Sequence, residues 1–287
     1  MPPDRKSENH HYVPQFYLRQ WCAADGKMWV YPVENGSTGF RAGPKNFATE
    51  KGLYNSSDTP FAEHDFEGRI SQIEGLFHSR WPEVFDSIRD AATKQNIARF
   101  LALMHIRHPK HKEEIRKTNA WVRRMAEHAR ANGHTEFEVV DPDGKTSVVR
   151  VGDVDELASD TTANTKAGFL NALTSVETLA QILSARKWGV VFNTIDAPVY
   201  LTSDRPLVLH RGTCGRETFG FATPGTEITF PITPTKLLRI SDVFQEDGLH
   251  YPLIALGDVN EQVILTATRF IFSPEELKDP GDEDRPQ

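Results

Sequence analysis

Six side chains carry the chemistry this sequence could perform: His10, His11, Glu74, Arg99, Arg107 and Asp204. Imidazole and carboxylate together can hold a divalent metal, and Mg²⁺ or Mn²⁺ favours the oxygen ligands that Glu74 and Asp204 offer. Neighbouring residues seldom point at one ion, so His10-His11 reads as one ligand plus one hydrogen-bond partner. The structural alternative is an imidazole that pins the N-terminus to the core. Glu67, Glu74 and His78 lie at the border of one apolar helical stripe, where they can bind a cation or form ordinary pairs such as Glu74 with His78 at i, i+4. Arg99 and Arg107 can clamp a phosphate. If buried, each needs a carboxylate, for which Asp204 and Glu50 are the candidates. Asp204 sits in Thr202-Ser203-Asp204-Arg205-Pro206, after a strand-like run. An acid at a strand end can act as metal ligand or general base, and the same run can equally be a side-chain-stabilised turn.

Other chemistries lack their motifs. Ser203 has no Gly-x-Ser-x-Gly setting, and there is no P-loop, Gly-rich dinucleotide turn or HExxH zinc helix. Cys22 and Cys214 form no CxxC pair and are expected as free thiols. The five residues between Arg99 and His105 are similar in spacing to the Arg-x(4–6)-His signature of the HEPN ribonucleases. Phe100 departs from that superfamily's polar position, and six helical residues put the two side chains on different faces.

The elements that must position these groups follow from periodicity. Val13–Trp21 is a short apolar helix or turn, and Lys27–Val33 alternates as a strand before a Glu34-Asn35-Gly36 turn. A further short strand is expected before Tyr54. Phe66, Ile70, Ile73, Phe77 and Trp81 mark a helix from about His64, with Pro82 opening the next turn. Thr93 is the candidate cap of a helix whose inner face is Ile97, Phe100, Leu101 and Met104, ending at His108-Pro109. A helix from Lys110 to Asn132 stops at Gly133. Two β-rich runs within 137–151 flank Asp141-Pro142-Asp143-Gly144, a hairpin turn. Helical pattern resumes over 154–186. Strands then dominate: 188–194, 199–202, 207–209, 227–232, 236–240 and 269–272, with a last helix over 259–266. This segregation predicts an α+β fold, a helical middle region packed on a mixed or antiparallel sheet built from N-terminal and C-terminal strands. Residues 10–273 are expected as one domain, between a loose segment 1–9 and an acidic disordered tail 274–287.

Composition narrows the class. The 287 residues are 38% hydrophobic and include 17 Phe and five Trp, enough for a large core. No apolar run approaches the roughly 18 residues of a membrane span, and the N-terminus lacks a signal peptide's apolar stretch, so a cytoplasmic protein with no membrane partner is expected. The net charge is −7, yet nine Lys/Arg against three Glu fall within 99–130. That basic stretch can face nucleic acid, or face solvent and the acidic remainder.

His10-His11-Tyr12-Val13-Pro14-Gln15-Phe16-Tyr17-Leu18-Arg19 resembles the opening signature of the bacterial family called Domain of Unknown Function 4238. Further blocks fit in order: Lys27–Tyr31, Lys45–Tyr54, Ile73-Glu74, Arg99-Phe100, Arg107-His108-Pro109, Leu201–Pro206 and Phe230–Pro234. The resemblance spans roughly 10–273 and singles out Glu74 among the border acids. It implies no activity. Three readings remain. The first is a metal-assisted hydrolase of nucleic acid or nucleotide phosphates, with His10, His11, Glu74 and Asp204 around a divalent metal, Glu74 and Asp204 also catalytic, and Arg99 and Arg107 on phosphate. The second is a non-catalytic binding or regulatory module of bacterial defence or stress response, in which the same residues form a buried polar network. The third is a metal-independent HEPN-like ribonuclease.

Overall fold

A computed structural model describes residues 9–34, 38–55, 60, 63–140, 146–157, 162–193, 199–217, 219–251 and 256–277. The segment before Asn9, the turn residues Asn35-Gly36 and Asp141–Gly144, and the tail beyond residue 277 lie outside the described residues. The chain opens with strand β1 (Asn9–His11), helix α1 (Gln15–Leu18) and a 3-10 turn (Arg19–Trp21), then β2 (Met28–Pro32), β3 (Phe40–Ala42) and β4 (Thr49–Lys51). The helical middle holds α2 (Phe66–Gly75), a 3-10 segment (Glu83–Ser87), α3 (Ala91–Ile106), α4 (Lys110–Ala131), a hairpin of β5 (Glu136–Val140) and β6 (Thr146–Arg150), α5 (Val151–Leu157), α6 (Thr162–Thr174) and α7 (Val176–Ala185). The last third is β7 (Trp188–Phe192), β8 (Thr202–Ser203), β9 (Val208–His210), β10 (Glu227–Thr233), β11 (Lys236–Ser241), β12 (Gly248–Tyr251), α8 (Leu256–Thr266) and β13 (Phe270–Ser273).

The fold is α+β, with two main sheets in place of the single one expected. Five strands run in the order β12-β7-β11-β10-β9, antiparallel except for the parallel β12–β7 pair. Four run in the order β3-β2-β13-β8, so the chain's early strands pair with its last. There Phe272 lies opposite Val30. β1 and β4 form a separate ribbon.

Local signals place the helix ends. Asp90, not Thr93, caps α3, its carboxylate accepting from the Thr93 amide at 2.8 Å. Asp65 caps α2 in the same way through the Gly68 amide. α2 stops at Gly75, although Phe77 and Trp81 of the same stripe are buried in the turns that follow. Gly133 takes φ +74° just past α4, a conformation open to glycine at little cost. The helical stretch expected over 154–186 divides into α5, α6 and α7.

The N-terminal segment is keyed into the core. Tyr12, Tyr17 and Trp21 are fully buried. The Tyr17 hydroxyl donates to the Pro231 carbonyl at 2.9 Å and meets Thr202 Oγ1 at 2.6 Å, while the Trp21 indole donates to the Tyr200 carbonyl at 2.9 Å. Trp81 Nε1 donates to the Ile232 carbonyl at 3.2 Å. Tyr17, Trp21 and Trp81 each bury a large apolar body and use the polar tip to satisfy a backbone carbonyl. The expected inner face of α3 (Ile97, Phe100, Leu101, Met104) is buried. Among the described residues, no helix is long and apolar enough to cross a membrane.

Candidate functional site at the corner of α3 and α4

Between α3 and α4 stand Arg107, His108 and Pro109. Arg107 caps the end of α3. Pro109, which has no amide proton to donate, precedes the first residue of α4. Both polar side chains of the corner are buried, Arg107 at 0% and His108 at 4% exposure. They organise two polar clusters, reached from the other side by the consecutive residues His10, His11 and Tyr12.

The first cluster surrounds Arg107. Its Nη1 donates to Glu74 Oε1 at 2.6 Å and its Nη2 to the Met104 sulfur at 3.2 Å. The partner is therefore Glu74, neither Asp204 nor Glu50. Glu74 also does not serve His78, whose ring packs against Phe16. Burial works against the Arg107 charge, but Glu74 and Tyr54 outweigh it and its pKa is raised. The Tyr54 phenol is pushed up to about 12, chiefly by burial. His10 packs edge-on against Tyr54 at 5.1 Å and faces Glu67 at 3.3 Å. His11 Nε2 donates to the Lys45 carbonyl at 3.0 Å. That bond fixes the tautomer, and burial lowers the His11 pKa.

The second cluster surrounds Asp204, 1% exposed. Its carboxylate accepts from the Thr268 amide at 2.9 Å and the Arg269 amide at 3.0 Å, and also from the Thr268 hydroxyl. His108 Nε2 lies 3.3 Å from the same carboxylate. His108 Nδ1 accepts from the Lys110 amide at 3.0 Å, so the ring proton sits on Nε2 and both nitrogens are engaged. Burial pulls the His108 pKa down, and Asp204 only partly restores it. Burial alone would raise the Asp204 pKa. The hydrogen bonds from His108 and Thr268 outweigh that, and the carboxyl is held below its ordinary value. Tyr12 covers this cluster, its ring edge-on to His108 at 4.9 Å, and burial raises its pKa far above the usual phenol range.

Outside the corner opens a cleft of about 480 Å³. Its walls include Lys110, Lys112 and Arg116 of α4 together with Arg269, facing Glu34, Glu50 and Glu113. Glu50 is held between Lys112 at 2.9 Å and Arg269 at 3.5 Å. His108 and Thr268 form part of the cleft lining, so the Asp204 cluster lies directly beneath.

Of the six candidates, the structure joins Arg107 with Glu74 and keeps Asp204 with His108 and Thr268. His10 and His11 each have their own partner. Arg99 stands apart: its Nε donates to Glu177 of α7 at 3.0 Å and its Nη1 to Asn96 at 3.2 Å, two helical turns or about 12 Å along α3 from Arg107. Among the described residues, no group of three or more His, Cys, Asp or Glu side chains stands where it could hold a metal ion. His105 faces His111 and Phe221, so it does not share the surroundings of Arg99.

Tyr12, His108, Lys112, Thr268 and Arg269 join the site without having been singled out. Tyr12 and His108 were present in the quoted blocks His10–Arg19 and Arg107-His108-Pro109. Thr268 and Arg269 carry no local signal, since the acids they serve, Asp204 and Glu50, are far away in sequence.

Several of the blocks that suggested a family converge here: His10–Arg19, Lys45–Tyr54, Ile73-Glu74, Arg107-His108-Pro109 and Leu201–Pro206. The model of a family described as "Protein of unknown function (DUF4238)" matches residues 9–275. No curated protein and no solved structure matches the chain. The match takes in both clusters and the cleft, and the chain belongs to the DUF4238 family.

Proposed function

We propose that the chain is a non-catalytic binding module that takes a phosphate-bearing ligand in the cleft at the α3–α4 corner. The observation that carries this reading is the contrast between the corner's interior and its mouth. Inside, each carboxylate and the His108 ring already have internal partners. Glu74 neutralises Arg107, Asp204 accepts two backbone amides, and His108 uses both ring nitrogens, leaving no lone pair for proton transfer. At the mouth, Lys110, Lys112, Arg116 and Arg269 line an open cleft beside Glu34, Glu50 and Glu113, and their pairs with Glu50 and Glu113 are partly exposed, so a ligand can replace the carboxylates. Cations gathered on rigid helix and strand ends suit phosphate oxygens.

The metal-assisted hydrolase reading asks more of the same residues. Glu74 and Asp204 would each have to leave a buried cation or buried donors without a partner in order to ligate a metal. The HEPN-like reading needs Arg99 and His105 in one groove, and their neighbours differ. The free thiols of Cys22 and Cys214 support a cytosolic location.

Isothermal titration with pyrophosphate and with ATP, without added metal, tests the proposal. Wild type should bind both, more weakly as salt rises, and Arg269→Gln should weaken binding about tenfold. Absence of binding by wild type would overturn it. Turnover of either ligand once Mn²⁺ or Mg²⁺ is added would overturn it in favour of the hydrolase.

A further inference from the structure

We propose that the outer face of α4 binds single-stranded nucleic acid, with Trp121 stacking on a base and Lys117 and Arg124 holding the phosphates on either side. α4 carries seven Lys/Arg against three Glu, in a chain of net charge −7. Positive charge is thus concentrated on this helix. Its inner side is occupied: Ala126 and Ala129 pack against Val151 and Val154. On the outer side Trp121 remains 41% exposed. A large indole this exposed, outside the core clusters of the described residues, calls for a partner with a flat face.

The helical period puts Lys117 one turn before Trp121 and Arg124 one turn after it, with His128 continuing the stripe. The two flanking cations are seven residues apart, about 10 Å along the axis. Lys117 has a side-chain exposure of 69%, and its pairing with Glu113 is loose at 3.7 Å, so a phosphate can displace it. Arg124 and His128 are exposed.

An aromatic face between cations takes unpaired bases of any sequence, because every base has a π-face. Intact duplex keeps its bases stacked and out of reach of the indole. A membrane surface fits less well, since an interfacial helix inserts a broad apolar face and the apolar side of α4 is turned into the protein.

This surface does not depend on the cleft, and the two fail separately. Fluorescence anisotropy of a labelled 20-nucleotide oligo(dT) would be followed at about 50 and about 200 mM salt, for wild type, Trp121→Ala and Lys117→Gln/Arg124→Gln. The expected result is binding that weakens as salt rises and falls about tenfold in Trp121→Ala. The double variant should have a shallower salt dependence, by about 0.7 in the logarithmic slope for each cation removed. Trp121→Ala should keep the melting temperature and the pyrophosphate affinity of wild type. No binding at low salt, or binding that Trp121→Ala leaves unchanged, would overturn the proposal. So would binding to phosphatidylserine vesicles with none to the oligonucleotide.

Discussion

Asp204 and Glu50 are carboxylates on two sides of one corner, and both face positively polarised groups. Asp204 has a side-chain exposure of 0% and answers to backbone amides, a hydroxyl and an imidazole. Glu50 has a side-chain exposure of 25% and answers to two long, flexible cations. In the interior a charge left without its partner keeps its desolvation cost, so the network works only when complete. At the cleft, water screens the same kind of pair and can replace either member. The lesson is that the two regions suit different tasks: the buried one fixes geometry, and the open one can exchange partners with a ligand.

The largest expected effect should come from breaking the interior. Glu74→Ala strands the fully buried Arg107 charge and should cost about 3–5 kcal/mol in urea denaturation. A cost below about 1 kcal/mol would mean that the Arg107 cluster behaves like the cleft. Asp204→Asn keeps the shape but leaves amide hydrogens facing amide donors, and should cost about 2 kcal/mol by the same measurement.

Acid should act on the interior first. His105 is half-buried among His111, Arg205, Glu114 and His108, and desolvation above all depresses its pKa from 6.5 to about 3. The unfolded chain binds that proton more readily, so stability is full above about pH 6.5 and falls as pH drops toward 3. Asp204, also depressed, contributes stability above its ordinary value of 3.8 and loses it below. Urea midpoints measured from pH 7 to pH 4 should decline, and His105→Gln should flatten the decline. An equal decline in wild type and variant would assign the acid sensitivity elsewhere.

The smallest effect on stability should come from Glu50→Gln, under about 1 kcal/mol. The same change frees Lys112 and Arg269, so pyrophosphate should bind more tightly. Unchanged affinity would show that the Glu50 pairs do not compete with a ligand.

Much of the fold was legible locally. The stripe of α3, the hairpin of β5 and β6, and the strands around Trp188 and Phe230 announce themselves through periodicity and turn residues. Thr93 misled because the capping oxygen belongs to Asp90, three residues earlier. β12 was missed because Gly248–Tyr251 is short, and its partner β7 is far away in sequence. The site was legible in part. Glu74, Arg107 and Asp204 stood out as charged residues in apolar company, and all three are central. Their pairing was not legible, since a buried arginine accepts any carboxylate that can reach it.

By itself, the sequence determined the α+β class, the segregation of helices from strands, the buried aromatic N-terminus and the membership of a family. These rest on side-chain period, turn chemistry and ordered motifs, all readable along the chain. Only the tertiary structure decided that Arg107 belongs to Glu74, Asp204 to Thr268 and His108, and Glu50 to Lys112. Those choices depend on distance and desolvation, which exist only once remote segments have been brought to one corner.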